Sequence, residues 1–313
     1  MTHPGFAIRR SIAFRSESDG AIGEWILCPE RRAPKVGVLT TQARLVVEAA
    51  RRCLAGVERP VDDTIGISLG TLCGANDVAE RCLQTAHASG IADVSASWYA
   101  TGLPNSTGGV VASMAGLRGP NLTLLGYQAG LDAIIMACRI LRAGGAQCML
   151  AGGFDVPGNG EIARLRNAPL LGNTSAILAG VGLVLLTNQK DGANHLATVV
   201  GWSYRDSEDT DHDELIDSAI RTLQPTPSSP PVRHILSPGL CRYEYLAATC
   251  PIRLVEALTA SDESGLHAFI VEGHGPRSVC LVVDIDGNIR RGDAGADDNR
   301  ADDNRADDAG DPP

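Results

Sequence analysis

Aromatic side chains are scarce in this sequence: Phe, Trp and Tyr make up 4% of its 313 residues. Aliphatic side chains must therefore fill any core, and the 35 glycines suit an α/β chain with many tight strand-to-helix turns. No apolar run approaches the roughly 18 residues a membrane helix needs, so no membrane span is expected. The opening stretch MTHPGFAIRRSIAFRSESDG is too polar for a secretory signal. Basic residues are in deficit, with a net charge of −10, and no basic stripe marks a nucleic-acid partner. Residues 292–313 carry eight Asp and two Arg, a net of −6, which leaves an ordinary −4 for the rest. The nine cysteines show no CxxC spacing and scatter over apolar segments, as reduced thiols of a cytoplasmic protein would. His87, His195, His212, His267 and Asp132 lack ligand spacing, so neither a metal nor another cofactor is expected.

What is present alternates strands and helices. FAIRRSIAF near the N-terminus is a strand candidate. Residues 39–56 follow a helical apolar period, capped by Thr40 or Thr41. TIGISLGT (64–71) is a short apolar strand, and 76–90 is a helix with Asn76 as its cap and Gly90 as its stop. A Pro-Asn turn, a small-residue helix and a Gly-Pro turn occupy 95–121. Then come strand 121–126, helix 129–143, strand 147–152, a loop over 156–174 and strands over 175–188 and 195–206. A shorter series follows: helix 212–224, the break PTPSSPP, strand 233–239, helix 250–261 and two closing strands. The tail, with two copies of ADDNR, has the composition of a disordered segment. The order β-α-β-α-β-β, repeated in shorter form, predicts helices packed on sheets.

The stretch LTLLGYQAGLDAIIMACRILRAGGAQCMLAGG (122–153) poses the functional question. Strand, tight turn and helix N-terminus form the usual mount for a nucleophile, because helix-end amides stabilise a thiolate or an oxyanion. The turn carries Gly126, Tyr127, Gln128 and Ala129, none of them a good nucleophile. A Tyr hydroxyl with a pKa near ~10 and a carboxamide cannot carry an acyl group by thioester exchange.

These segments together resemble the ketosynthase family of the thiolase fold. TIGISLGTLCG resembles its strand and glycine turn, and GLPNSTGGVVASMAGLRGPN its Pro-Asn turn, interface helix and Gly-Pro-Asn segment. QCMLAGGFD resembles the strand after the nucleophile helix, and SAILAGVGLVLLTN the strand closing the first half. The resemblance implies a thiolase-like α/β fold of duplicated βαβαβαββ halves in five layers, here with the second half shortened. It implies a first half over 1–190, a shortened second half over 191–291 and an acidic tail over 292–313. Active members carry Cys at the elbow. Counting back from Ala151-Gly152-Gly153 puts Tyr127 there; aligning on QAGLD, as in the chain length factor branch, puts Gln128 there. The second-half histidines of active members have no match: Ser237-Pro238-Gly239 takes one turn, His234 lies three residues early, and His274 falls in a different turn.

The resemblance therefore implies a non-catalytic partner that heterodimerises with a ketosynthase through strand residues Asn121, Leu122, Thr123, Leu124 and Leu125. Trp98, Tyr99, Thr101, Leu103 and Met114 would line a tunnel holding the acyl or polyketide chain. That chain would arrive on an acyl carrier protein bound mainly by the partner. An alternative keeps the chain an enzyme in its own right. It would be a malonyl-thioester decarboxylase using Gln128, or an acyl transferase or hydrolase using Ser68, within a G-x-S-x-G pattern, or Cys73.

Overall fold

The structure is a computed structural model, and it describes residues 5–16, 40–57, 64–167, 176–188, 195–206, 211–221, 230–237, 243–260, 264–272 and 277–285. Pro238, Gly239, His274 and the acidic tail lie outside the described residues. The elements run β1 (Phe6–Arg15), α1 (Thr41–Cys53), β2 (Ile65–Thr71), α2 (Asn76–Ser89), α3 (Ala96–Thr101), α4 (Ser106–Ala115), β3 (Asn121–Leu125), α5 (Ala129–Arg142), β4 (Cys148–Asp155) and α6 (Asn159–Asn167). They continue β5 (Ala176–Ile177), β6 (Gly180–Thr187), β7 (Ala197–Asp206), α7 (His212–Ile220), β8 (Val232–Leu236), β9 (Tyr243–Glu244), α8 (Thr249–Thr259), β10 (Gly265–Glu272) and β11 (Arg277–Ile285).

Nine strands form one mixed sheet in the order β3-β2-β4-β6-β1-β7-β11-β10-β8. Its two ends repeat one pattern. From β1 outward, β6 and β4 join antiparallel, then β2 and β3 join parallel. From β7 outward, β11 and β10 join antiparallel, then β8 joins parallel. Among the described residues no counterpart of β3 lies at that end; β9, which precedes α8 as β3 precedes α5, is two residues long and pairs with β5. The halves meet where β1 and β7 pair over Phe6–Ile8. The duplication, with a shortened second half, is thus present in the strand order itself.

Three buried clusters alternate with the two sheet halves. Leu45, Val46 and Ala49 of α1 pack on Ile65, Ile67, Leu150, Phe154 and Leu183. Ile134, Ile135 and Cys138 of α5 and Leu254 and Leu258 of α8 fill the middle, against Met149, Val184, Val279 and Leu281. Leu215 and Ile216 of α7 cover Ile270 and Val282 on the far side. Alternate residues of one strand feed neighbouring clusters, as the pleat requires. The result is helix, sheet, helix, sheet, helix: the five layers that the resemblance implies. Each fully buried aliphatic side chain is worth roughly 1.5–3 kcal/mol, so a core short of aromatics rests on the number of such residues.

Local differences from the sequence reading have physical causes. Thr40 does cap α1, its hydroxyl accepting from Ala43 N at 3.2 Å. Asn76, expected as a cap, is instead the first residue of α2, and Ala75 takes the cap position without a side-chain hydrogen bond. The loop expected over 156–174 contains α6, started by Glu161, whose carboxylate accepts from Gly158 N at 2.9 Å. The strand expected over 175–188 breaks at Leu178–Ala179 into β5 and β6. A six-residue helix, α3, precedes the Pro-Asn turn, nucleated by Ser95, whose hydroxyl accepts from Trp98 N.

Candidate functional site

The elbow is built by a parallel strand running into a helix. Strand β3 ends at Leu125; Gly126 turns at φ +139°, and its amide donates to Thr71 O at 3.0 Å. Ala129 N donates back to Gly126 O at 3.2 Å, and α5 begins. A residue with a side chain is strained at that φ, which accounts for the glycine. The N-terminus of α5 is then clamped from both sides. A Cβ on Gly70 would meet the Ala129 carbonyl carbon at 2.0 Å, and one on Gly130 would meet Ala247 O at 2.0 Å. Gly153 likewise admits Ala247 O, at 2.3 Å from an added Cβ. Glycine is the only residue that fits these three positions, so the QAG and AGG motifs encode close backbone approach.

Neither elbow side chain is arranged as a nucleophile. The Tyr127 ring is buried in the middle layer. Gln128 precedes the first helical residue, and its own carbonyl accepts from Leu131 N at 2.9 Å and Asp132 N at 3.0 Å. Its side chain does not cap the helix. The amide instead reaches the second half, where Nε2 donates to Arg277 O and makes a longer contact with Val271 O at 3.5 Å. Both amide hydrogens are thereby committed to backbone carbonyls, which removes the donor a decarboxylase would aim at a thioester carbonyl.

The other nucleophile candidates fare no better. Ser68 is not on a turn: it lies in the middle of β2, paired with Leu122 on one side and Ala151 on the other, and is 0% exposed. The G-x-S-x-G match is therefore a strand, with none of the sharp strand-to-helix turn a serine nucleophile needs. Cys73 is buried, and desolvation, with Asp155 and Glu161 nearby, raises its thiol pKa far above the ordinary value. Such a thiol stays protonated and inert. Cys138 and Cys250 are likewise buried and raised. His234 and His267 stack beside Phe269 on β8 and β10, with His234 Nε2 3.0 Å from His267 Nδ1, and belong to the packing of that sheet edge. Among the described residues no group of His, Cys, Asp and Glu is arranged to hold a metal ion, and no helix is long and apolar enough to cross a membrane.

One residue beside the elbow went unassigned in the sequence although its motif, QCMLAGGFD, was read. Asp155 at the end of β4 is 0% exposed. Its carboxylate accepts from Thr71 Oγ1 at 2.7 Å, Leu72 N at 3.1 Å, Cys73 N at 2.8 Å and, from the second half, Ala247 N at 2.9 Å. Burial pushes its pKa up to about 6 against the pull of those donors. Ala247 follows Leu246, the non-glycine residue with positive φ (+54°) among those described. Asp155 thus ties the turn after β2, the end of β4 and a strained turn before α8 into one floor beneath the elbow. An acid two residues after a double glycine, at a strand end, was the signal available.

Beside this floor, a pocket of about 400 Å³ opens between α2 and α6, lined among others by Leu72, Cys73, Leu83, Glu161 and Leu165. On the same side of the molecule β3 is the edge of the large sheet, and Leu125 is 62% exposed. Trp98, Tyr99 and Leu103, on and just after α3, are also exposed. Thr101 is partly buried, its hydroxyl donating to Trp98 O at 2.9 Å, and Met114 is partly buried on α4. An edge strand next to exposed large apolar side chains is the usual profile of an interface.

Comparison with known proteins places this geometry. Residues 30–176 match the family model described as Beta-ketoacyl synthase, N-terminal domain. No curated protein matches the sequence. Among solved structures, the ishigamide ketosynthase/chain length factor superposes with a TM-score of 0.72 at 16% identity, over 90% of this chain and 99% of that one. The type II PKS acyl-carrier protein in complex with its ketosynthase bound to the hexaketide, AntDE:AntF, gives 0.68 at 15% identity, over 91% of this chain and 98% of that one. The oxazolomycin ketosynthase domain OzmH KS7 of Streptomyces albus JA3453 gives 0.61 at 16% identity, over 79% of this chain and 61% of that one.

Proposed function

Because residues 30–176 match the beta-ketoacyl synthase N-terminal domain model and the fold is that of solved ketosynthases, we propose that this chain is a non-catalytic, chain-length-factor-like subunit. It pairs with a ketosynthase in a type II polyketide or fatty-acid-like pathway. The observation that carries this reading is the elbow: its mount is intact, yet Gln128, the residue before α5, has its amide spent on the backbone of Arg277 and Val271. The buried Ser68 and Cys73 support the same reading, since neither offers a second nucleophile.

In this reading β3 pairs with its counterpart in the ketosynthase, and Leu125 and the α3 side chains become buried on assembly. Trp98, Tyr99, Thr101, Leu103 and Met114 form the part of the chain tunnel contributed by this subunit. Its function is selection by volume: each added two-carbon unit that meets a bulky wall costs about 1–3 kcal/mol of overpacking, enough to halt elongation. The ketosynthase supplies the thiolate and the main acyl-carrier docking site. The test is product length in the reconstituted pair. Trp98→Ala or Leu103→Ala should lengthen the product while the rate of the first condensation is kept. Unchanged product length with both substitutions contradicts the gating role.

A further inference from the structure

Arg139 and Arg142 occupy the last turns of α5, and Arg277 opens β11. All three are exposed. Each guanidinium lies over an aromatic ring of β7: Arg139 is 5.4 Å and Arg277 4.6 Å from the centroid of Tyr204, and Arg142 is 5.3 Å from that of Trp202. Tyr204 is thus shared by two cations. A guanidinium held over a ring by a cation–π contact keeps N–H donors available to carboxylates and has already lost part of its side-chain freedom. Among the described residues none of the three forms an ion pair. Asp132 is the acid within electrostatic reach, but it is engaged with the Tyr204 hydroxyl. Asp206 faces Arg277 across the β7–β11 ladder without pairing with it. The result is a stripe of three preorganised cations with no ion-pair partner among the described residues, on a chain whose overall charge is −10.

The same chain carries the complementary charge at its C-terminal end. Residues 292–313 hold a net −6, with Asp pairs at 297–298, 302–303 and 307–308. The chain leaves the sheet at Ile285 of β11, and Leu281 of that strand pairs with Trp202. Four residues of strand, about 14 Å, therefore separate the exit point from the level of Arg142. The eleven residues between Ile285 and the first Asp pair span twelve Cα–Cα steps and reach up to roughly 40 Å. We propose that the stripe formed by Arg139, Arg142 and Arg277 is the docking surface for the chain's own acidic segment, residues 292–313. Single exposed ion pairs are weak. The covalent tether offsets this, because an intramolecular contact acts at an effective concentration in roughly the millimolar range. Docking is therefore intramolecular, salt-sensitive and spread over repeated Asp pairs, so that no single Asp is essential.

The test is arginine modification by phenylglyoxal on the full-length chain, read residue by residue from peptide masses. The comparison is a full-length variant with Asp297, Asp298, Asp302, Asp303, Asp307 and Asp308 all changed to Asn. At low salt the three arginines of the native chain should react at least threefold more slowly than those of the variant. The difference should vanish at 0.5 M NaCl, where screening reaches only ~4 Å. Exposed Arg81 on α2 serves as the internal control and should react equally in both. Equal rates at the stripe overturn the proposal. So does protection that appears only when an acidic carrier protein is added, which makes that protein the occupant. If the six-fold variant does not fold, Arg139→Gln with Arg142→Gln replaces it. A spin label on the tail should then gain mobility at low salt, and unchanged mobility overturns the proposal.

Discussion

Replacing Asp155 by Ala tests the floor beneath the elbow. Four donors converge on this carboxylate: the Thr71 hydroxyl and the amides of Leu72, Cys73 and Ala247. Thr71 and Asp155 are 0% exposed, Ala247 is 2% and Cys73 6% exposed, and Leu72 is partly buried at the rim of the pocket. An unsatisfied buried donor costs about 1–3 kcal/mol, and water entering the vacated space relieves part of the total. A net loss of about 3–5 kcal/mol is expected, the range for breaking a buried charged group from its partners. Asp155→Asn should cost nearly as much, because its amide turns a donor toward donors. Both variants should speed hydrogen exchange at Leu72, Cys73 and Ala247, and release the strained Leu246 turn, more than at α1. The pH dependence has a definite sign. The folded pKa, about 6, lies above the ordinary carboxylate value. The contribution of this group is therefore fully present below about pH 4 and declines as pH rises through about 6. The gap between native chain and Asp155→Asn, followed by urea unfolding, should widen by about 2–3 kcal/mol from pH 7 to pH 4. A loss under 1 kcal/mol, or a gap that narrows on acidification, refutes the reasoning.

Gly130→Ala should lower the thermal midpoint by several degrees, since its Cβ would meet Ala247 O at 2.0 Å and a backbone carbonyl yields little; Gly109→Ala, in open space on α4, should be neutral or stabilising. Gln128→Ala should leave any condensation by the assembled pair running while loosening the first turn of α5 against β11, seen as faster exchange at Leu131 and Asp132. Ser68→Ala and Cys73→Ala should leave assembly and turnover unchanged, and a loss of activity without loss of stability would reopen a hydrolase or transferase reading. Leu125→Lys, on the exposed sheet edge, should weaken pairing with the ketosynthase at least tenfold without changing the far-ultraviolet dichroism.

Much of the fold was legible because its determinants are local. Apolar periods placed α1, α5 and α8, and unbroken aliphatic runs placed β2, β4, β6 and β11 as strands buried on both faces. Glycine pairs marked the turns, although their second role, letting Ala247 and Ala129 press onto bare backbone, depends on distant chain and shows only in three dimensions. Helix α3 and helix α6 were missed for a related reason: each is short and flanked by turn residues, and α6 is polar and started by Glu161 folding back onto Gly158. At the site, the missing nucleophile could be read directly from Tyr127 and Gln128. The fate of the Gln128 amide could not, because its acceptors lie more than 140 positions away, at Val271 and Arg277. Asp155 escaped notice because a lone acid at a strand end usually faces solvent; only the fold buries it.

The central claim is that this chain is a subunit without its own nucleophile. Co-expression with a ketosynthase subunit of a type II system, followed by light scattering, tests that claim most directly. The account predicts a one-to-one heterodimer, with the lone chain recovered poorly or inert toward malonyl thioesters. A lone chain that forms a stable homodimer, ignores the ketosynthase and turns over an acyl thioester would contradict it.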